Sequence, residues 1–158
     1  NLYVIGGFDG KQCLTSAECF VPAQGVWCKL QPMSQGRAGA VAAVMGNRLF
    51  VCGGSDGSES LLSAECFDPR CHAWEVLASM GQRRSHAAIA SVTNKLYVCG
   101  GLDGHERLSA AECFDPVVGS WGHLPPMSHQ RLGMSAAVIN NKIYVCGGQD
   151  DSGTLFSA

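Results

Sequence analysis

Charge is scarce in this sequence, and so are long apolar runs. Only 15% of the 158 residues are Asp, Glu, Lys or Arg, and the formal net charge is −2. Nucleic-acid binding usually needs Lys and Arg clustered on a basic domain, so we expect no nucleic-acid partner. No apolar run approaches the roughly 18 residues of a membrane-spanning helix, and the first residues lack a basic segment before a long apolar stretch. We therefore expect neither membrane insertion nor secretion.

Several motifs that carry common chemistry are also missing. The sequence contains no Cys-x-x-Cys pair and no Gly-Lys-Ser/Thr sequence, and its 5 histidines do not fall at the spacing of zinc ligands. No stretch shows a helical period over ten or more residues. These absences predict a protein with no metal, no cofactor and no phosphate-binding loop.

What the sequence has instead is a repeat of one structural unit. The same residue types recur at a step of 47 residues with no insertion. The recurring residues are the glycine pairs 6–7, 53–54, 100–101 and 147–148, Trp27, Trp74 and Trp121, Glu18, Glu65 and Glu112, Arg37, Arg84 and Arg131, and two series of cysteines, Cys19, Cys66 and Cys113 and Cys52, Cys99 and Cys146. This period suits a β-propeller blade or an α-solenoid repeat.

The composition of one unit favours the β-propeller. Residues 39–45 form a small, apolar strand a, a Gly-Asn turn follows, and residues 48–52 read as strand b. Strand c over residues 63–67 ends before Pro69, which cannot donate to a ladder, and strand d covers residues 74–77. Four short strands joined by turns disfavour the solenoid. We interpret the paired glycines and the recurring Glu as structural, and the recurring Trp as filling the gap between neighbouring units.

The residues of one unit resemble the kelch repeat. The resemblance rests on the apolar strand, Gly-Gly, Ala-Glu-Cys-Phe-Asp-Pro at residues 64–69, the spaced Trp, Pro-Met or Ser-Met, and then Arg. Val21 replaces the Asp of the later copies, and Asp151 replaces a glycine. The resemblance implies an all-β propeller with four-stranded antiparallel blades, usually six to a ring.

The predicted domain organisation is an arc of about 3.4 blades of such a ring. Residues 1–36 supply strands b, c and d of a first blade, residues 37–83 and 84–130 are whole blades, and residues 131–158 begin a fourth. Because so few blades leave open sheet faces, we expect either a piece of a longer, six-bladed chain or a homo-oligomer in which copies complete the ring.

The sequence also indicates where a partner binds. In an antiparallel meander the b–c and d–a loops share one rim, and several residues there are basic or break the register. The candidates are Arg37, Arg83, Arg84, Ser85, His105, Arg107, His129 and Arg131. We expect this basic cluster to bind an acidic or phosphorylated peptide. The alternative for Arg37, Arg84 and Arg131 is that they tie one blade to the next.

The resemblance extends to the kelch propellers of BTB–kelch adaptors, which serve cullin-type ubiquitin ligases and capture substrate segments on this rim with Arg and Ser. Arg84, Ser85 and Arg107 match such positions, whereas Ala38 and Leu132 do not. The implied function is therefore non-enzymatic: the chain recruits a protein substrate, and regions absent from it contact the cullin ligase. An actin-binding kelch protein is the alternative, and a kelch-propeller oxidase or epimerase is a third hypothesis.

The cysteines predict a cytoplasmic location. The chain has 9 cysteines, an odd number, and the six periodic ones behave as small apolar residues rather than as a disulfide framework. Cys71 lies between Arg70 and His72, where positive charge favours a reactive thiolate. An inert, exposed thiol is the alternative for Cys71.

Overall fold

The computed structural model describes residues 1–157; residue 158, the last of the predicted fourth unit, lies outside them. The strands in chain order are β1 Leu2–Ile5, β2 Ala17–Val21, β3 Val26–Lys29, β4 Val41–Met45, β5 Arg48–Cys52, β6 Ala64–Asp68, β7 Ala73–Val76, β8 Ala88–Val92, β9 Lys95–Cys99, β10 Ala111–Asp115, β11 Ser120–Leu124, β12 Ser135–Ile139, β13 Lys142–Cys146, β14 Gln149–Asp150 and β15 Gly153–Thr154. The described part of the chain contains no helix.

The strands form antiparallel sheets in chain order. One sheet has the order β1-β2-β3, two have four strands, β4 to β7 and β8 to β11, and β12 pairs with β13. The short hairpin β14-β15 follows. The predicted all-β fold with four-stranded antiparallel blades is confirmed. Strand b was placed correctly, strand a begins two residues later than predicted, and strands c and d are displaced by one residue.

Two-residue turns connect the first two strands of each unit, as predicted. Gly46 and Asn47 have φ of 56° and 63°, and Thr93 and Asn94 in the next unit have φ of 48° and 58°. Two successive positive φ values match the right-handed twist of the paired strands, which is why Asn and Gly suit this turn. Thr93 is a β-branched residue in a conformation that such residues rarely adopt.

Neighbouring sheets pack face to face through apolar clusters. Between the first two sheets, Leu49, Val51 and Phe67 pack with Tyr3 and Ile5. The next pair of sheets encloses two further clusters, which include Met45, Phe50, Leu96 and Phe114 in one and Cys52, Ala64 and Val98 in the other. The strands β4, β8 and β12 lie side by side. The sheets therefore stand around a common line with their first strands innermost, as an arc of a β-propeller.

The recurring Trp residues join each sheet to the segment that precedes it. The indole Nε1 of Trp74 donates to the carbonyl oxygen of Gln31 at 2.7 Å, and Trp121 donates to Ala78 at 2.9 Å. The Trp74 ring also packs on Phe67, with the ring centroids 5.2 Å apart. The predicted role between units is confirmed, and the hydrogen bond gives the polar end of each indole a partner.

The paired glycines allow two backbone segments to come very close. Gly53 has φ of 62°, and a Cβ atom built on it would lie 2.2 Å from the carbonyl oxygen of Arg84. Gly54 N–H donates to that same oxygen at 2.8 Å. Only a residue without a side chain fits here, which confirms the predicted geometric role.

We predict that Gly53→Ala lowers the free energy of unfolding by about 4 kcal/mol or more, because the new methyl group collides with backbone that cannot move aside. The matched control is Gly119→Ala, since Gly119 also has a positive φ, of 73°, but meets no atom within 4 Å. That variant should lose only about 1–2 kcal/mol, the cost of the backbone conformation. Urea unfolding measures both, and equal losses would contradict the proposed close approach.

Candidate functional site

The b–c and d–a loops do meet at one rim of the arc. Isolated bridges join Ala38 to Ser55, Ser85 to Leu102 and Leu132 to Gln149, each linking a d–a loop to a b–c loop. We call this surface the loop rim. It consists of the b–c loops 6–16, 53–63, 100–110 and 147–157 and the d–a loops 30–40, 77–87 and 124–134.

An Asp holds the tip of each b–c loop in the same shape. In the second unit, Asp56 Oδ1 accepts hydrogen bonds from the backbone N–H groups of Ser58 and Glu59 at 2.9 and 3.0 Å. These donors, Glu59 first, lower the pKa of Asp56 to about 2. The equivalent bonds are made by Asp9, Asp103 and Asp150. Each loop therefore presents a fixed backbone with a carboxylate at its base.

The periodic arginines lie inside the protein. Arg84 is 1% exposed, and its Nη2 lies 2.8 Å from Oε1 of Glu112, which is also 1% exposed. Its Nη1 donates to the carbonyl oxygens of Gly100 and Ala110 at 2.9 and 2.8 Å. The second carboxylate oxygen of Glu112 accepts the backbone N–H of Gly81, in the loop that enters the unit. The side chain of Arg84 and the backbone N–H of Gly81 in the linker are thus both bound to the carboxylate of Glu112.

The same construction recurs in the neighbouring units. Arg37 pairs with Glu65 at 2.9 Å, and Ser34 N–H donates to the other oxygen of Glu65. Arg131 is 4% exposed and donates to the carbonyl oxygens of Gly147 and Ser157. The prediction that Arg37, Arg84 and Arg131 bind a partner at the central mouth is therefore wrong. The bonds favour the alternative, in which these arginines tie one blade to the next, because a guanidinium buried this deeply is stable only where its donors are bound within the fold.

Ser85 is also unavailable to a partner. Its side chain is 3% exposed, and its Oγ lies 3.2 Å from Ser60 Oγ and 3.3 Å from the carbonyl oxygen of Leu102. These contacts hold a d–a loop against a b–c loop. The sequence-based assignment of Ser85 as a binding residue is wrong because the bridge to Leu102 turns the hydroxyl into the loop junction.

The remaining four candidates do lie on the exposed part of the loop rim. Arg83 donates to the carbonyl oxygen of Ser60 and pairs with Glu59 at 2.8 Å. Arg107 pairs with Asp151 of the next unit. His105 and His129 are exposed. Partner binding by these four stays a prediction.

The exposed charge of the loop rim is acidic, opposite in sign to the predicted basic cluster. With the periodic arginines buried, the cations left within residues 1–157 of the rim are Lys11, Arg83 and Arg107, and two of them already bind rim carboxylates. Against them stand the seven rim carboxylates Asp9, Asp56, Glu59, Asp103, Glu106, Asp150 and Asp151. An acidic or phosphorylated ligand would therefore meet a surface of its own sign of charge.

Two grooves open on the loop rim. One, of 480 Å³, is polar and lies between the second and third units, where Glu59, Arg83, Asp103 and His105 are among its lining residues. The other, also of 480 Å³, lies closer to the innermost strands. Its lining is His86, Leu102, Leu132, Gly133, Gly148, Gln149 and Thr154. We call this second opening the mouth groove.

Sequence reasoning missed the mouth groove and the unusual residue beside it. His86 has φ of 52° and stands in register with Gly39 and Gly133, whose φ values are 61° and 68°. His86 N–H donates to the Gly39 carbonyl oxygen, and Gly133 N–H donates to that of His86, so the three form a chain of bonds between units. A non-glycine residue in this conformation is strained and often marks a functional position. The break in a glycine register was the available signal.

The cysteines are all unpaired, and their burial differs. Cys19, Cys52 and Cys66 are buried, Cys99 and Cys113 are partly buried, and Cys146 is exposed. Burial raises the pKa of both Cys52 and Cys66 to about 12, so these thiols stay neutral. Cys71 is exposed, and the guanidinium of Arg70 next to it is bound to Asp68.

Residues 1–154 match the family model for the KLHDC2/KLHL20/DRC7 Kelch-repeats domain. No curated protein sequence matches the chain. The solved structure of YjhT is similar in fold, with a TM-score of 0.74 at 14% sequence identity over 92% of this chain. The chain spans 57% of the length of the YjhT chain.

The sheets, the loop rim and the family match together define the class of protein, a partial β-propeller. The chain belongs to the kelch-repeat family. Among residues 1–157 there is no helix long and apolar enough to cross a membrane, and no cluster of three or more His, Cys, Asp or Glu side chains placed to hold a metal ion.

We predict that Arg84→Ala lowers the free energy of unfolding by about 3–5 kcal/mol, because Glu112 is left buried without its counter-charge. The control is Lys95→Ala, which removes the exposed Lys95–Asp115 pair and should cost no more than about 1 kcal/mol. Chemical denaturation measures both. An Arg84→Ala protein as stable as the wild type would return Arg84 to the candidate binding residues.

Alkylation of the native protein tests the assignment of the thiols. We expect Cys28 and Cys71, both exposed, to react with iodoacetamide at least about tenfold faster than Cys52, because a buried neutral thiol is a poor nucleophile. Mass spectrometry of timed samples gives each rate. A Cys71 that reacts markedly faster than Cys28 is the reactive thiol of the sequence-based prediction, whereas equal rates identify an ordinary exposed thiol.

Proposed function

We propose that this chain is a non-enzymatic module that recruits a protein substrate on its loop rim, as the substrate-binding part of a cullin-type ubiquitin ligase adaptor. Membership of the kelch-repeat family supports the protein-binding part of this proposal. Contact with the ligase would come from regions outside this chain. This chain contributes the recognition surface.

The observation that carries the proposal is the contrast between backbone and side chains in the b–c loops. The Asp-centred hydrogen bonds repeat in every copy. The residues at the tips vary from copy to copy, being Lys-Gln-Cys at 11–13, Ser-Glu-Ser at 58–60, His-Glu-Arg at 105–107 and Ser-Gly-Thr at 152–154. A rigid scaffold that holds variable side chains is the usual form of a recognition surface.

The interior carboxylates support a non-enzymatic role. Glu65 and Glu112 each bind one arginine and one backbone N–H in the same geometry. An acid–base pair needs two groups whose surroundings push their pKa values apart, whereas these two have equivalent surroundings. The unpaired cysteines fit a reducing compartment, and we propose that the protein acts in the cytoplasm.

The test exchanges one loop tip for another that the chain itself uses. The variant His105→Ser with Arg107→Ser converts the tip at 105–107 into Ser-Glu-Ser, the sequence of 58–60, so the scaffold should fold normally. We expect this variant to lose most of the capture of cellular partners, because it removes two projecting side chains of the recognition surface. Affinity capture followed by quantitative mass spectrometry gives the partner set of each protein.

The control is Val117→Ala with Val118→Ala, which changes two side chains, 88% and 72% exposed, in the c–d loop at the opposite rim. This variant should keep the partners. A partner that depends on the loop rim should also be ubiquitylated in a cullin-dependent manner, and unchanged turnover after depletion of this protein would contradict the adaptor role. Co-sedimentation with actin filaments in place of a rim-dependent partner would favour the cytoskeletal alternative.

A further inference from the structure

We infer that the mouth groove takes one apolar side chain, such as Leu, Ile, Met or Phe, from a partner segment that carries Lys or Arg beside it. This inference rests on the proposed function, since it names the class of segment that the loop rim recognises. It departs from the acidic ligand that the sequence had predicted.

The size and lining of the mouth groove suit an apolar side chain. Its volume of 480 Å³ lies in the range of pockets that bind small ligands or a few residues of a peptide. Leu102 and Leu132 form the apolar part of the lining, and Gly133, where an added Cβ would meet no atom within 4 Å, leaves space beside them. Leu102 and Leu132 are partly buried, and an apolar partner group would remove their remaining exposed surface from water.

The leucines of the mouth groove are not required by the scaffold. Leu102 stands in register with Phe8, Ser55 and Gln149, and Leu132 stands in register with Ala38 and Ser85. The bridges that these positions make use backbone atoms only, and they form equally with Ser55, Ser85 and Gln149. Since polar residues serve the fold at both positions, the pair of leucines is a property of this groove.

Carboxylates follow two of the lining residues of the mouth groove in the chain. Asp103 and Glu106 come after Leu102 in one loop tip, and Asp150 and Asp151 come after Gln149 in the next. Backbone hydrogen bonds, that of Glu106 first, lower the pKa of Asp103 and keep it ionised. The only rim cation within these two tips, Arg107, is already bound to Asp151. Opposite charge on the partner is the complement of this surface.

Asp151 adds to the negative charge of the loop tip that follows Gln149. In the three earlier copies the same register position is glycine, at residues 10, 57 and 104. The substitution therefore adds a carboxylate next to the mouth groove that the loop does not need for its shape. Its pairing with Arg107 also removes the cation that would favour an acidic ligand.

Peptide ligands are first selected from an unbiased library. Their binding is then measured to variants in which a residue is replaced by its counterpart from another unit. A phage-displayed peptide library is selected on the whole protein, with an acidic and a phosphorylated peptide set included as synthetic probes. We expect peptides with one apolar residue next to Lys or Arg. Leu132→Ser, which copies Ser85, should weaken their binding about tenfold or more, as expected for the loss of one buried apolar contact. Asp151→Gly should weaken it several-fold at low salt and reduce its salt dependence.

The outcomes separate this inference from the function on which it rests. The inference is supported if the Val117→Ala, Val118→Ala protein still binds the selected peptides while Leu132→Ser and Asp151→Gly bind them more weakly. Selection of acidic or phosphorylated peptides that still depend on Leu132 or on the 105–107 tip overturns the inference and leaves the loop rim as the recognition surface. Peptides that bind every rim variant as well as wild type overturn both.

Discussion

The buried pairing of one arginine with one glutamate in each of the second and third units is the constraint on which the rest of the structure depends. Arg84 comes from the loop that enters a unit, and Glu112 lies in the third strand of that unit. The pair also collects a backbone N–H from the linker and two carbonyl oxygens at the ends of neighbouring strands. Two charges this deeply buried are tolerated only when every donor and acceptor is placed. The pair therefore determines where each linker crosses from sheet to sheet.

The negative charge of the loop rim follows from this buried pairing. Because the periodic arginines are used inside, they contribute no exposed positive charge, and the carboxylates that shape the b–c loops are left in excess. The shape of each tip is set by hydrogen bonds to an Asp, so the projecting side chains vary without disturbing the scaffold. The residues that fix the shape of the loop rim and those that give it its surface are thus different residues, even where they are neighbours in the chain. Asp103 fixes a loop tip, whereas Leu102 beside it lines the mouth groove.

Much of the fold could be predicted from the sequence, because its signals are local and repeated. The strands, the two-residue turns such as Gly46-Asn47, the glycine pairs and the role of Trp74 follow from backbone and packing rules that act over a few residues. The site was predicted less well. Arg37, Arg84 and Arg131 were placed at the right end of the sheets, but sequence position does not tell whether a side chain turns into the space between sheets or out toward the mouth. The shared period of Arg and Glu was the signal for the inward direction.

The sequence by itself determined the unit, its four strands, the order of the sheets and the rim on which the variable loops lie, since each of these depends on short-range backbone geometry copied every 47 residues. The tertiary structure alone decided which polar residues are interior and which face the solvent. That decision depends on atoms brought together from residues 28 positions apart in the chain, as Arg84 and Glu112 are, and it changed the expected charge of the loop rim from basic to acidic.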